Sequence, residues 1–429
     1  MYPDFYHLLK DLTGISIPVL SLFKTFGFLV AIGFFTAGYL LYKEIKRKEE
    51  EGLIGFTIEE ITTGKPLQWS DYLISTLIAF FLGFKISGLI VDWKEASPDP
   101  MSYLISSKGL LLPGILAAMI TLVFRYFENR KTVKQGIQVK KVKTYPHVKV
   151  GDICVIAAIG GFAGAKIFNA LETWSDFVRD PLGSLFSSSG LTFYGGLIVA
   201  TLALWRYSKK IHLDFRHLCD AAAPVLILAY GIGRIGCQLS GDGDWGIYNS
   251  AYTTSPAGQI VPASKPAMEE AMVLHPDYFT RHADEGQQHL AVKGTSILPV
   301  WFFAFNYPHN VNHVGVPIPD CTDEYCSVLP QPVFPTPVYE TLFCILAFFL
   351  LWGIRKRIQV PIGLFAIYLI INGAERFLIE QIRVNYKYNW GFIHPTQAEI
   401  IAVMLILCGS VLWIFRKQIH QKWPTTSSV

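Results

Sequence analysis

Apolar residues along this chain come in blocks rather than in alternation. Nine blocks reach the ~20 residues that a helix needs to cross a hydrocarbon core roughly 30 Å thick. They are residues 20–42, 71–91, 109–126, 151–171, 190–206, 217–238, 334–354, 360–380 and 397–415. The pattern predicts an all-α, polytopic membrane protein with about nine transmembrane helices. Composition agrees. Apolar residues fill 51% of 429 positions and charged residues 16%, against ~25% charge in a soluble domain. A large soluble enzyme is excluded on these grounds.

Positive charge sets the expected orientation, because cytoplasmic loops hold the excess Lys and Arg. Every odd-numbered block is followed by a basic loop: Lys43 to Lys48, Arg125 to Lys149, Arg206 to Arg216, Arg355 to Arg357, and Arg416 to Lys422. The opposite loops, such as Asp92-Trp93-Lys94-Glu95, lack this excess. The expected topology has the N-terminus outside and the C-terminus in the cytoplasm. The net charge of +4 then reflects topology, and no basic face outside the membrane register suggests nucleic acid as a partner. Met1 to Ser16 lacks the charged start and cleavage site of a signal peptide. Its mixed apolar and polar residues suit the outer interface.

The pattern divides the chain into five parts. Residues 1–70 hold an interfacial segment and the first helix, 71–128 a hairpin, and 150–239 three further helices. Residues 240–333 form a span-free outer head, expected to be irregular, and 334–429 hold the last three helices. Residues 71–126 align without gaps on 152–207, with 18 identities in 56 pairs. The pairs include Gly83/Gly164, Lys85/Lys166, Asp99/Asp180, Pro100/Pro181, Ser106/Ser187, Ser107/Ser188 and Gly114/Gly195. Apolar bias alone does not align the Asp-Pro and Ser-Ser pairs, so the two-helix hairpin is read as duplicated. A seven-helix core plus one extra hairpin follows. Cys321 and Cys326 lie in the outer head, where an oxidising compartment leaves a disulfide open. No zinc spacing and no phosphate-loop or dinucleotide glycine motif is present, and no metal or cofactor is expected.

Ionisable residues in membrane spans are expensive, and so are functional candidates. Three clusters stand out, each at the outer end of a span. Gly231 to Gly246 is rich in glycine and carries Arg234, Asp242 and Asp244. A guanidinium there can hold a phosphate with two bonds; the bland alternative is a snorkelling arginine. Arg376, Glu380 and Arg383 share one helix face by their spacing, with Glu375 beside them; the bland alternative is an intrahelical ion pair. Phe334-Pro-Thr-Pro-Val-Tyr339-Glu340 opens a span with two polar residues; the bland alternative is an interfacial aromatic and a capping acid. Together they describe an outward cavity for a lipid with an anionic headgroup.

These residues resemble the prolipoprotein diacylglyceryl transferase family. Gly233-Arg234-Ile235-Gly236 through Asp242, Trp245 and Gly246 is similar to the family signature. Phe193-Tyr194-Gly195-Gly196-Leu197 resembles its Phe-His-Gly-Gly-Leu segment, Phe334 to Glu340 its His-Pro-Ser-Gln-Leu-Tyr-Glu segment, and Arg376-x-x-x-Glu380-x-x-Arg383 its late arginine motif. Asp220 and Pro224 also match in register. The order holds over roughly 150–416. The resemblance implies transfer of the diacylglyceryl group of phosphatidylglycerol to the lipobox cysteine of a preprolipoprotein signal peptide, in the bacterial inner membrane, with release of glycerol phosphate. It implies Tyr194, Arg234, Asp242, Asp244 and Arg376 as catalytic candidates. Arg234, Gly246, Tyr339, Glu340, Arg376, Glu380 and Arg383 are the substrate-binding candidates.

The chain departs from the family pattern at several positions. Tyr194 stands at the family's His, Cys237 and Ser240 replace asparagines, and Phe334 and Pro337 replace His and Gln. Phe26 stands where Tyr is usual. One inserted residue leaves either Asp242 or Asp244 as the signature acid, and leaves the base open between Tyr194 and an acid. His394 to Glu399 repeats the span-seven string. The competing readings are a transporter of an anionic or lipid-linked solute, suggested by the repeat, and an inactive scaffold of the family, suggested by the substitutions.

Overall fold

The computed structural model describes residues 1–96, 103–104, 106–134, 136–186, 190, 192–255, 258–263, 267–281, 288–385, 387–389, 391 and 394–422. A short amphipathic helix, α1 (Phe5–Thr13), precedes nine longer ones. These are α2 (Thr25–Glu50), α3 (Trp69–Val91), α4 (Leu111–Lys134), α5 (Val150–Glu172), α6 (Phe193–Lys210), α7 (Phe215–Ser240), α8 (Thr336–Ile354), α9 (Gly363–Glu380) and α10 (Gln397–Lys422). Each falls on one of the apolar blocks. Among the described residues, seven are long and apolar enough to cross a membrane by length and composition. The other two, α6 and α9, have 18 residues each. Each spends three of them on charge: Arg206, Lys209 and Lys210 in α6, and Glu375, Arg376 and Glu380 in α9. The fold is polytopic and helical, and a count of nine crossings rests on those two charged helices.

The chain forms two compact units, divided within α2. In the first, Met1–Ile45 with Asp214–Thr426, small residues set the helix packing, as close approach in lipid requires. A Cβ on Gly231 of α7 would meet Cys344 Cβ of α8 at 2.8 Å. One on Gly373 of α9 would meet the Ala402 carbonyl of α10 at 2.7 Å, and one on Gly409 of α10 the Ala366 carbonyl at 2.7 Å. The core between α7, α8 and α9 is Ala223, Ile227, Cys344, Ala347, Phe348, Leu351 and Leu364. At the far end from the head, Arg355 Nε donates to the buried Glu44 at 2.9 Å.

The head contains short strand pairs around a core of its own, built on Tyr248, Met268, Tyr278, Phe279, Tyr307, Leu329 and Val333. Buried Asn249 ties its strands: Nδ2 donates to the Val292 and Phe303 carbonyls, and Oδ1 accepts from Ala251 and Val292. Cys321 and Cys326 are joined in a disulfide. Beside that bridge the N-terminal arm is held down, with Lys10 on Asp323 at 3.0 Å and Lys24 donating to Tyr325 at 3.0 Å.

The second unit, Lys46–Leu213, is two hairpins, α3 with α4 and α5 with α6, and a β-ribbon. The ribbon pairs β1 (Thr57–Thr63) with β2 (Gln138–Thr144) antiparallel. The hairpins share contacts at the 81-residue offset of the repeat. Gly83 meets Gly114 where α3 crosses α4, and Gly164 meets Gly195 where α5 crosses α6. Buried Lys85 donates to the Tyr103 carbonyl at 3.1 Å, and Lys166 to the carbonyl of Ser184, the equivalent of Tyr103, at 3.3 Å. Lys85 also binds the Ser106 and Lys108 carbonyls, so each amine closes its hairpin's loop. Of the repeat pairs named above, Asp99, Pro100, Ser187 and Ser188 lie outside the described residues.

Candidate active site

Three helix ends and one loop build the site, all within the first unit. Helix α7 brings Arg234 one turn after Tyr230. It then ends at Gly241, whose φ of +67° stops the helix as a left-handed cap. The loop behind it carries Asp242 and Asp244. Helix α8 starts at Thr336 and places Glu340 in its second turn. Helix α9 places Glu375, Arg376 and Glu380 in its last turns, with Arg383 just beyond. Its start is fixed from α7: buried Asp220 accepts from the Ile362 and Phe365 backbone N–H groups, each at 2.8 Å. Asp220 therefore sets the register of the helix that carries Arg376.

The three arginines converge on fully buried Glu340. Arg234 contacts it through both Nε and Nη2. Arg383 Nη1 lies 3.6 Å and Arg376 Nη1 3.8 Å from its Oε1, which also accepts from Tyr230 at 3.0 Å. Asp244 is a second hub, bonded to both Arg234 and Arg383. Burial alone would raise its carboxyl, but Arg234 and Arg383 hold it below its ordinary 3.8. Asp242 behaves oppositely: burial raises its carboxyl, and it turns back to accept from the Asp244 N–H at 3.3 Å. The acid on the arginines is thus Asp244, past the inserted residue. Arg234 Nη1 also lies 3.5 Å from Cys237 Sγ. The Arg234 guanidinium thus reaches two of the three clustered side chains Cys237, Asp242 and Asp244.

Arg376 differs from the other two. Its side chain is 27% exposed, against 8% for Arg234 and 13% for Arg383. Its contacts are looser, 3.3 Å to Glu380 and 3.8 Å to Glu340. Glu380 is steadied by Asn385, whose Nδ2 donates to it at 2.7 Å. Glu375 is buried, and among the described residues neither of its carboxylate oxygens has a hydrogen-bond partner. Such a group calls for a functional explanation.

Gly246 sits where the loop threads between α8 and α9. Its N–H donates to the Phe334 carbonyl at 2.8 Å, and the next N–H, of Ile247, donates to the Ile382 carbonyl at 2.8 Å. A Cβ on Gly246 would meet Ile382 O at 2.6 Å and Thr336 Cγ2 at 2.9 Å. Only glycine lets the loop approach closely enough to carry Asp244 onto Arg383. Tyr339 points elsewhere: its hydroxyl bonds the Phe302 carbonyl of the head, and its ring packs on Phe302. Tyr194 belongs to the second unit, in the first turn of α6, half-buried with its ring edge-on to Phe193. The His394 to Glu399 string is a helix start, in which Thr396 N–H donates to Glu399 and Glu399 N–H to the Thr396 hydroxyl.

Sequence reasoning missed Tyr230, Thr336, whose hydroxyl donates to the Asp244 carbonyl at 2.8 Å, and Asn385. Tyr230 was legible, since it stands four residues before Arg234 and so shares its helix face. Thr336 and Asn385 gave no signal, because their roles come from chain crossings.

Fold and site define the class: an integral membrane enzyme with an arginine–carboxylate cluster at the ends of its helices. Residues 109–415 match the family model described as prolipoprotein diacylglyceryl transferase, and the chain belongs to that family. The match begins at residue 109, just ahead of α4, rather than near 150. Curated relatives carry the name phosphatidylglycerol–prolipoprotein diacylglyceryl transferase. The protein of Dehalococcoides mccartyi is 25% identical over 334 residues, covering 75% of this chain and 95% of its own. That of Leptospira interrogans is 24% identical over 326 residues, covering 64% and 81%. That of Chlorobaculum tepidum is 26% identical over 291 residues, covering 64% and 76%.

Proposed function

We propose that this chain moves the diacylglyceryl group of phosphatidylglycerol onto the cysteine thiol of a prolipoprotein signal peptide, and that Arg376 is the arginine that meets the lipid phosphate. In this reaction the thiolate sulfur attacks the glyceryl carbon. A sulfur–carbon bond forms, the carbon–oxygen bond to phosphate breaks, and glycerol phosphate leaves with the electron pair. The thiol proton goes to a base. The leaving phosphate gains charge in the transition state, and fixed cations lower that barrier.

One observation carries the assignment among the arginines. Arg234 is buried and Arg383 half-buried, and both are locked on Glu340 and Asp244, whereas Arg376 is the more exposed and the more loosely paired. An incoming phosphate needs to displace only contacts of 3.3 and 3.8 Å to engage it. Arg234 and Arg383 then position the loop and α8 around it. The base is Tyr194, as the family register suggests, or Asp242, whose carboxyl is raised by burial and so holds a proton more readily than an exposed one. We place the head outside the cytoplasm and the basic loops inside it, on the strength of the Lys and Arg distribution.

The test is diacylglyceryl transfer from labelled phosphatidylglycerol to a signal-peptide substrate. Arg376→Ala should raise KM for the lipid and lower kcat by about 100-fold or more, the scale of losing one transition-state donor. Arg376→Lys should recover part of the rate. Full activity in Arg376→Ala would sink the assignment. Full activity in both Tyr194→Phe and Asp242→Asn would remove both candidate bases.

A further inference from the structure

The second unit contains a cavity lined by none of the residues assigned to the transfer reaction. It lies where the α3–α4 hairpin meets the β1–β2 ribbon, and its volume is about 780 Å³. Its walls are Leu67, Trp69, Tyr72, Leu122, Tyr126 and Phe127. That size falls within the roughly 300–1,000 Å³ of small-molecule sites. The local chain builds it. Gly64 leaves the ribbon with φ +82°, where a Cβ would overlap the Gly136 carbonyl. Segment 64–68 is pinned to α4 by Asn129, whose Oδ1 accepts from the Leu67 N–H at 2.9 Å. Trp69 then opens α3 with its indole 89% exposed beside the cavity.

Any membrane helix has an apolar face, so apolar walls alone select nothing. Charge does. Arg130 lies over the Tyr126 ring, 5.6 Å from its centre, which places a guanidinium against the cavity wall. Lys65, Lys131, Lys134 and Lys140 are exposed on the segments that frame the cavity. The acids on those segments are occupied: Asp71 accepts from the Gln68 N–H in the cap of α3, Glu128 pairs with Arg125, and on the ribbon Glu59 pairs with Lys149 and Glu60 with Lys141. What remains is a concave apolar site with aromatic rings at its rim and uncompensated positive charge around it.

We propose that this cavity binds one anionic diacyl phospholipid from the leaflet on the basic side of the bilayer. The acyl segment packs against Leu67, Leu122 and Phe127, where apolar burial is favourable. The indole and the two phenols suit the glycerol level, being apolar with a polar tip. The Arg130 guanidinium matches the phosphate geometry, and the lysines add attraction to the anionic surface. This site is independent of the transferase reading and lies within one unit of the chain.

The experiment uses the full-length protein in detergent micelles doped with brominated-acyl lipids, which quench nearby tryptophan. The probes are phosphatidylserine, which is anionic and not the proposed donor, and phosphatidylcholine. Subtracting the Trp69→Phe signal from that of the unmodified protein isolates Trp69. Phosphatidylserine should quench it at a lower mole fraction than phosphatidylcholine, and molar salt should erase the difference. Arg130→Gln, at a surface position that tolerates the change, should weaken phosphatidylserine quenching about five-fold, the worth of one cation at an anionic surface. Transfer activity should be unchanged in both variants. Equal quenching by the two lipids would reduce the cavity to ordinary bilayer-facing surface and overturn the proposal. Absence of Trp69 quenching by either lipid would mean that a protein segment covers it, and would overturn it equally.

Discussion

Removing the carboxylate at the centre of the arginine cluster gives the sharpest test of why the site holds together. Glu340 is fully buried and receives Arg234, Arg383, Arg376 and the Tyr230 hydroxyl. Glu340→Gln keeps the shape and removes the charge. Arg234, with its side chain 8% exposed, then has Asp244 as its remaining carboxylate. Breaking a buried pair by removing one partner costs about 3–5 kcal/mol, because the other charge stays in place uncompensated. Asp244 keeps part of the compensation, so the lower figure of about 3 kcal/mol applies. A domain of this size shifts by about 2–4 °C per kcal/mol, giving a fall of about 6–12 °C in melting temperature. The assay is thermal unfolding in detergent, followed by fluorescence-detected size exclusion. Adding Arg234→Met removes the stranded cation, with Asp244 still held by Arg383, and should restore most of the lost stability. The double variant should nonetheless remain without transfer activity. If it melts no higher than Glu340→Gln alone, an uncompensated guanidinium is not the cause, and the account of the cluster as mutually neutralising charge is wrong.

Other consequences follow from the same geometry. Gly246→Ala puts a methyl against Ile382 O and Thr336 Cγ2; backbone on one side and a short side chain on the other cannot yield, so about 1–3 kcal/mol of overpacking should lower both melting temperature and activity, while Gly233→Ala, with open space around it, should change neither. Asp244 has its carboxyl held below 3.8, so its stabilising contribution is complete above that value and is lost as pH falls through the lower folded one; melting temperature should drop on acidification below about pH 4, and Asp244→Asn should lack that component. Replacing Cys321 and Cys326 with serine opens a loop of sequence separation 5, worth about 2 kcal/mol by loop closure; limited proteolysis should then release the N-terminal arm, because Asp323 and Tyr325, which hold Lys10 and Lys24, stand on that loop.

Much of this architecture was legible in the chain because lipid is a strict solvent. Helix positions followed from apolar blocks, and the site candidates from the cost of charge in those blocks. Arg234, Glu340, Arg376, Glu380 and Arg383 could be named for that reason, and the structure brings them together with Asp244. What stayed hidden came from chain crossings. Two acids one residue apart in a glycine loop looked equivalent until the turn at Gly241 and the contacts of Gly246 placed Asp244 on the arginines and turned Asp242 back on the loop. Tyr339 looked like a polar wall residue, yet its hydroxyl is spent on the head. The head itself gave only turn residues, because its core depends on tertiary pairing around Asn249 that no periodicity announces.

The cluster also changes what its arginines mean. As a sequence motif, three arginines at span ends suggest a positive clamp awaiting a phosphate. In the structure they share the site with Glu340, Glu375, Glu380 and Asp244, four acids to three bases. Such a set is no simple anion trap, because a phosphate entering it meets carboxylates as well as cations. Binding must therefore exchange one ion pair for another, and the pair given up should be the weakest. By distance and exposure the contacts most easily given up are those of Arg376, to Glu340 at 3.8 Å and to Glu380 at 3.3 Å, and this is the ground for the proposal that the late arginine motif, rather than the glycine-rich signature, meets the lipid phosphate.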